Sequence, residues 1–280
     1  MKKTIAALFT HSDDIEFTCA GTLAKHIRQG YEGYYVLMTR SNSGYQHLLD
    51  TRAADGRVEV HFMHSEEVAA IRRREAEAAA GELGATPVFL DFKEVLYTGK
   101  DGALICPDVR TMNFGTDEPA GRDVMEVAAA RDDRINEVRD LLAKWEPEIC
   151  ITWDWLNPNP DHYCTFILAY RAFVRAARLA RLGTLYAVTT GSVPPGLSPY
   201  FARRPDWFVD VSDPEVLDRC GKALSHQACQ FPAGTDLYRH SWGAGRGRPG
   251  EFLGIGQDKR VESFTRLVSG DDVNELDINA

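Results

Sequence analysis

Short apolar runs alternate along this chain with longer segments of helical periodicity. Apolar, β-branched runs predict strands at residues 3–9, 33–39, 87–91, 148–153, 185–190 and 207–211. Helical patterns predict helices at residues 18–29, 65–84, 128–145, 162–182, 213–230 and 259–268. This alternation predicts an α/β fold, a Rossmann-like and mostly parallel sheet with helices on both faces. The active site is then expected at the carboxyl ends of the strands.

The order of the elements also predicts where the chain reverses its direction across the sheet. Right-handed crossovers place the first strand centrally, and the strand at 148–153 must then be added beside it. The loops that follow residues 9 and 153 should therefore meet at this switch point.

All of these elements fit one domain, residues 1–270, and residues 271–280 are predicted to be a flexible, solvated tail. Two segments, 41–64 and 93–127, lack periodicity and exceed ordinary connection lengths. We interpret both as loop insertions beside an active site.

Composition agrees with a soluble, cytoplasmic enzyme. The formal net charge of −9 argues against a nucleic-acid partner. The six cysteines form no C-x-x-C pair, which is typical of reduced thiols. No apolar stretch approaches the roughly 18 residues of a membrane span. The oligomeric state is open, and a homo-oligomer is compatible with the sequence.

The first predicted strand ends in a cluster of metal-binding residue types. His11 and Asp14 are three residues apart, and such a pair can chelate one zinc ion from a tight loop. The adjacent carboxylate, Asp13, would then point elsewhere and can act as a base.

A third candidate ligand follows the strand at 148–153. His162 comes after a loop rich in proline and asparagine, at the start of a predicted helix, so it matches the placement of His11. The prolines keep this loop extended and prevent an early helix start.

These motifs resemble a known family. The sequence H-S-D-D-I-E at 11–16 resembles the H-P-D-D-x-E signature of the LmbE-like, or PIG-L, zinc-dependent N-acetylglucosamine de-N-acetylases. The sequence N-P-D-H at 159–162 resembles that family's H-P-D-H signature. Weaker similarities lie at residues 71–84, 207–212, 222–227 and 261–264.

The resemblance implies a hydrolase that removes an N-acetyl group from a small-molecule amino sugar or its conjugate. The implied zinc ligands are His11, Asp14 and His162, a set that Fe(II) could also occupy. Asp13 would accept a proton from the attacking water and later return one to the departing amine.

Supporting roles are predicted for residues around this set. Glu16 and Asp161 are interpreted as partners of the ligands or as helix caps. Arg72, followed by Arg74, is expected to reach the substrate, because a guanidinium suits sugar hydroxyls or an anionic group. A solvated helix face is the alternative for both arginines. His226 lies on a predicted helix, which favours a structural role.

The chain departs from the family signatures at two positions. Ser12 replaces a proline that supplies no ligand, and Asn159 replaces a histidine thought to stabilise the charged transition state. We expect Asn159 to offer the oxyanion only a neutral N–H donor, so that the reaction depends more on zinc.

Several other functions are weighed against this one. A dinucleotide site needs G-x-G-x-x-G after the first strand, and a serine hydrolase needs G-x-S-x-G, and neither motif is present. An amidase acting on a larger acyl group or a thiol conjugate fits the same residues. So does a catalytically impaired homologue that binds zinc or carbohydrate, although the intact Asp13 favours an enzyme.

Overall fold

A computed structural model describes a defined set of residues. They are residues 2–42, 51–52, 58–59, 65–94, 97–98, 104–105, 124–155, 157, 159–188, 205–230, 248–250 and 256–275. Most of the two predicted loop insertions, 41–64 and 93–127, lies outside the described residues.

The described strands and helices alternate for most of the chain. The strands are β1 (Thr4–Phe9), β2 (Glu32–Thr39), β3 (Thr51–Arg52), β4 (Val58–Glu59), β5 (Thr86–Phe92), β6 (Tyr97–Thr98), β7 (Leu104–Ile105), β8 (Ile149–Thr152), β9 (Thr184–Val188), β10 (Trp207–Asp210), β11 (Arg248–Gly250) and β12 (Gly256–Ser269). The helices are α1 (Asp14–Thr18), α2 (Ala20–Arg28), α3 (Ser65–Leu83), α4 (Met125–Ala128), α5 (Asp132–Trp145), α6 (Pro160–Ala177), α7 (Pro214–Ser225) and α8 (Gly270–Glu275).

One mostly parallel sheet organises the fold, in the order β10-β12-β9-β8-β1-β2-β5. The five strands from β9 to β5 are parallel, and β12 pairs antiparallel with β9, β10 and β11. The chain fills one side of β1 with β2 and β5 and then returns to the other side with β8. The predicted α/β fold is therefore confirmed, and the switch point lies between β1 and β8 as expected.

β1 lies at the centre of two hydrophobic cores, one on each face of the sheet. Every residue of β1 is buried. Ile5, Ala7 and Phe9 belong to the core beneath α2, α3 and α7, whereas Ala6 and Leu8 belong to the core beneath α5 and α6. Burial on both faces explains why β1 is a continuous apolar run without alternation.

β12 replaces a predicted helix, and the prediction for residues 259–268 is therefore wrong. Val261, Phe264 and Val268 are buried and have helical spacing, which produced the error. In the strand, Glu262 is also buried, because its carboxylate accepts the backbone N–H groups of Gly21 (2.9 Å) and Thr22 (2.6 Å). The buried Glu262 and a register shift between Arg266 and Val268 explain why β12 lacks the alternation of apolar and polar residues that is typical of a strand.

The first half of the predicted tail is helical, because residues 271–275 belong to α8. Asp272 accepts hydrogen bonds from Arg266 (2.6 Å) and the backbone of Ser269 (3.2 Å), and Val273 is buried. The prediction of a solvated tail is wrong for these residues.

Among the described helices, none is both long and apolar enough to cross a membrane.

Candidate metal and active site

Three ligand atoms converge where the carboxyl ends of β1 and β8 meet. Nδ1 of His11 lies 3.0 Å from Nε2 of His162. The Asp14 carboxylate lies 3.4 Å from His11 Nδ1 and 3.5 Å from His162 Nε2. All three ligand atoms lie within 4.8 Å of one another. The structure thus brings together the three residues that the sequence proposed as ligands.

Asp14 owes its orientation to the backbone at the end of β1. Its Oδ2 accepts the backbone N–H of Thr10 at 3.1 Å and that of His11 at 2.6 Å. Burial raises the pKa of Asp14, but His162 and His11 outweigh it and lower that pKa to about 2. The carboxylate is therefore ionised and available to a cation.

His162 is held by packing that joins both loops. Its ring stacks on Trp153, with ring centroids 4.0 Å apart and planes inclined by 10°. Trp153 Nε1 donates to the Thr10 hydroxyl at 3.0 Å, and that hydroxyl lies 2.8 Å from the Thr165 hydroxyl. The loop after β1 and the start of α6 therefore fix the plane of this imidazole together.

The other nitrogen of His11 faces two buried carboxylates. His11 Nε2 lies 3.8 Å from Glu94 and 4.0 Å from Asp161. Burial lowers the pKa of His11, but Asp14, Glu94 and Asp161 outweigh it and raise the pKa to about 10. The same negative surroundings favour a metal cation, and two imidazoles with one carboxylate suit zinc or Fe(II).

Glu94 was missed by the sequence analysis, which assigned residue 93 onwards to a loop. It lies two residues after the end of β5, so its signal in the sequence is its place near the carboxyl end of a predicted strand. Asp161 lies 4.0 Å from His11 Nε2, and a carboxylate near the second nitrogen of a metal-binding histidine can orient the ring. Its role as a partner of the ligands stays a prediction.

Arg72 is buried and pairs with the candidate base. Its side chain is only 1% exposed, and Nη2 donates to Asp13 Oδ1 at 2.8 Å. Burial lowers the pKa of Arg72, but Asp13 and Glu94 outweigh it and raise that pKa. A solvated face is therefore wrong for Arg72, whose guanidinium pairs with the partly exposed carboxylate of the candidate base. Its expected contact with the substrate stays a prediction. Arg74, by contrast, is exposed on α3.

Glu16 contacts Tyr35 and Gln227 with its buried carboxyl group. Burial raises its pKa to about 8, which favours a protonated carboxyl at neutral pH. Both of its oxygens lie 3.1 Å from the Tyr35 hydroxyl, and Oε1 also accepts from Gln227 at 3.4 Å. Gln227 falls in a stretch of weak family similarity, but nothing in the sequence indicated Tyr35.

Asn159 caps α6. Its Oδ1 accepts the backbone N–H groups of Asp161 at 2.9 Å and His162 at 3.4 Å, and Pro160 occupies the first helical position. The described contacts of Asn159 are those of a helix cap. Its expected role beside the reacting carbonyl stays a prediction.

The chain is similar to known proteins over most of its length. A family model described as PIG-L, GlcNAc-PI de-N-acetylase, matches residues 6–173, more than half of the chain. A diacetylchitobiose deacetylase from Thermococcus kodakarensis is 24% identical over 236 residues, which are 82% of this chain and 71% of that protein.

Two solved structures share the fold along nearly the whole chain. The 4-carboxy-2-hydroxymuconate hydratase GalB from Pseudomonas putida has a TM-score of 0.64 and 21% identity, and the match covers 96% of this chain and 97% of GalB. The N,N'-diacetylchitobiose deacetylase from Pyrococcus horikoshii has a TM-score of 0.61 and 20% identity, covering 95% of this chain and 84% of that one. At these identities the structures establish the fold, and the family follows from the match over residues 6–173: the chain belongs to the PIG-L, GlcNAc-PI de-N-acetylase, family.

Proposed function

We propose that this protein is a metal-dependent hydrolase that removes an N-acetyl group from an N-acetylglucosamine-containing small molecule or glycoconjugate. One observation carries the proposal. The candidate ligands His11, Asp14 and His162 converge within 4.8 Å, and Asp13, next to Asp14 in the chain, is a partly exposed carboxylate. Membership of a de-N-acetylase family supports the same reaction.

Zinc is the proposed metal, held by His11, Asp14 and His162, and Fe(II) fits the same donor set. When bound, such a metal lowers the pKa of a water molecule towards about 7 and polarises an acyl carbonyl. His11 must be neutral to bind it. The negative charges of Glu94 and Asp161, 3.8 and 4.0 Å from Nε2, would then favour the tautomer that keeps its proton on Nε2.

Asp13 supplies the proton transfer in this proposal. It would take a proton from the attacking water and later return it to the nitrogen of the departing amine. Arg72 holds the Asp13 carboxylate through a 2.8 Å charge-assisted hydrogen bond. Because Arg72 is buried, we interpret it as a residue that orients the base rather than one that binds the sugar.

A second candidate function is hydration of a carbon–carbon double bond conjugated to carboxylate groups. The observation that favours it is the GalB match, which covers nearly all of both chains and includes the highest TM-score among the structures described above. Asn159, in place of the family histidine, also removes one group expected to stabilise an amide transition state. A metal site with an adjacent base could activate water for either reaction.

Metal analysis and a substrate panel separate these functions. Purified protein is assayed for zinc and iron, for acetate and free amine from N-acetylglucosamine, diacetylchitobiose and their conjugates, and for hydration of 4-carboxy-2-hydroxymuconate. Acetate release that Asp13→Asn abolishes supports the proposal. Hydration without acetate release favours the second function. Release of free amine only from substrates with longer N-acyl chains indicates an amidase for larger acyl groups. Metal binding without turnover indicates a binding homologue.

A further inference from the structure

Ser12 occupies the position between a candidate metal ligand and the candidate base. We call His11–Asp14 the metal loop. Its consecutive side chains serve different purposes, because His11 and Asp14 face the metal position whereas Asp13 pairs with Arg72. The direction of each side chain depends on the peptide planes on either side of Ser12.

Both of these peptide planes are held by side chains from outside the metal loop. The N–H of Ser12, in the unit that joins it to His11, donates to Ser41 Oγ at 2.9 Å. The carbonyl of Ser12, in the unit that joins it to Asp13, accepts from the Tyr35 hydroxyl at 2.6 Å and also from Gln227 Nε2.

These three side chains come from distant parts of the chain. Tyr35 lies in β2, Ser41 follows that strand, and Gln227 follows α7. All three are buried, with Tyr35 and Gln227 fully inaccessible. Ser41 has a φ of 52°, a left-handed conformation that is unfavourable for an L residue. Such a conformation persists where the surrounding structure requires it.

Glu16 contacts two of the side chains that hold the metal loop. Its carboxyl contacts both the Tyr35 hydroxyl and Gln227 Nε2, so each donor to the Ser12 carbonyl has a second partner. A donor that is held from two sides keeps its position when it binds the Ser12 carbonyl, so these contacts favour one geometry of the metal loop.

We propose that Tyr35, Gln227 and Ser41 are positioning residues that set the metal loop so that His11 and Asp14 converge while Asp13 stays apart. The proposal deepens the proposed function and rests on it for the identity of the bound metal. The hydrogen bonds themselves belong to the metal-free chain. Residues that support metal ligands indirectly change metal affinity by about 10–100-fold when they are replaced.

The test compares two pairs of neighbouring substitutions. Tyr35→Phe removes one hydroxyl, and its control, Tyr34→Phe, alters the opposite face of β2, where the ring stacks on Trp145 at 4.0 Å. Gln227→Met keeps the side-chain volume without the donor. Its control is His226→Ala, which removes a half-exposed ring 3.4 Å from Glu82.

Two measurements are made on each variant. Zinc affinity is determined by competition with a chelator, and amide hydrogen exchange is followed in the metal-free protein for a peptide that covers the metal loop. We expect Tyr35→Phe and Gln227→Met to weaken zinc binding about 10–100-fold and to accelerate exchange. The two control variants should behave like the parent protein, as should circular dichroism of all four.

Three results would overturn the proposal or its basis. Parent-like zinc affinity and exchange in Tyr35→Phe and Gln227→Met would refute it. So would an equal loss in Tyr34→Phe, because the effect would then be general destabilisation. If Gln227→Met does not fold, Ser41→Ala replaces it with the same expectation. A parent protein that binds neither zinc nor Fe(II) would contradict the proposed function, and exchange alone would then decide the positioning role.

Discussion

The loop after β1 and the loop after β8 supply the same candidate site but are built differently. The first is short and carries His11, Asp13 and Asp14 within four residues. Its backbone is tied to β2 and to the segment after α7 by buried hydrogen bonds. The second is longer and contributes one ligand, His162, from the first turn of α6. A single imidazole there is held by ring stacking on Trp153.

This difference indicates which positions can change. In the first loop, adjacent side chains need different directions, so a small shift of the backbone disturbs ligands and base together. In the second loop, the position of the ligand depends on a helix and an aromatic ring. We therefore expect substitutions in the residues before the ligand to be tolerated more readily. The substitution of Asn159 for the family histidine falls in this second loop, and the structure uses it as a helix cap.

The largest effect is expected from removing the single ligand of the second loop. His162→Ala leaves only His11 and Asp14, and we expect metal affinity to fall by more than about 100-fold, beyond the effect of an indirect partner. Metal content after dialysis is the measurement, and Tyr163→Ala, an exposed neighbour on α6, is the control. Full occupancy in His162→Ala would show that the first loop suffices to bind the metal.

Within the first loop, substitution of the base should lower turnover without lowering metal binding. Asp13→Asn is expected to keep its metal and to lose about 10²–10⁴-fold in kcat, because the amide cannot accept the proton. Metal content and turnover are measured on the same preparation. A rate close to that of the parent would move the base to Glu94 or Asp161, the other carboxylates beside the ligands.

Sequence alone predicted the parts of the site that depend on local spacing. The spacing of His11 and Asp14, the strand before them and the switch point together bring in His162 from about 150 residues away. Tyr35, Glu94 and Gln227 were not predicted, because their roles arise from the tertiary packing of separate elements. No period or motif within their own segments records which loop they contact.

The same reasoning explains the unexpected burial of Arg72 and the wrong prediction at β12. A run of three arginines on a helix is typical of a solvated face, and only the fold shows that Arg72 turns inward to Asp13. In β12 the burial of Glu262 is a long-range effect, because the carboxylate caps α2. Polar residues buried for a partner elsewhere therefore mislead an analysis based on hydrophobic periodicity.

A smaller loss of activity is expected when the ion pair between Arg72 and Asp13 is removed. Charge-assisted hydrogen bonds contribute roughly 1.5–3 kcal/mol, so we expect Arg72→Met to lower kcat by about 10–100-fold with little change in KM or metal content. Arg73→Met, an exposed neighbour that pairs with Asp91, is the matched control. A rise in KM without a loss of kcat would restore the original expectation that Arg72 binds the substrate.

The smallest effect is expected in the second loop, at Asn159. Because its Oδ1 caps the first turn of α6, Asn159→Ala should lower the free energy of unfolding by about 0.5–2 kcal/mol. Asn159→Asp should retain this stability, since aspartate is an equally good cap. Urea denaturation of the metal-free protein measures both, which separates capping from metal binding. If the alanine variant is as stable as the parent, the cap contributes nothing. A loss of kcat in Asn159→Ala larger than its loss of stability explains would place the side chain beside the reacting carbonyl, as the sequence first suggested.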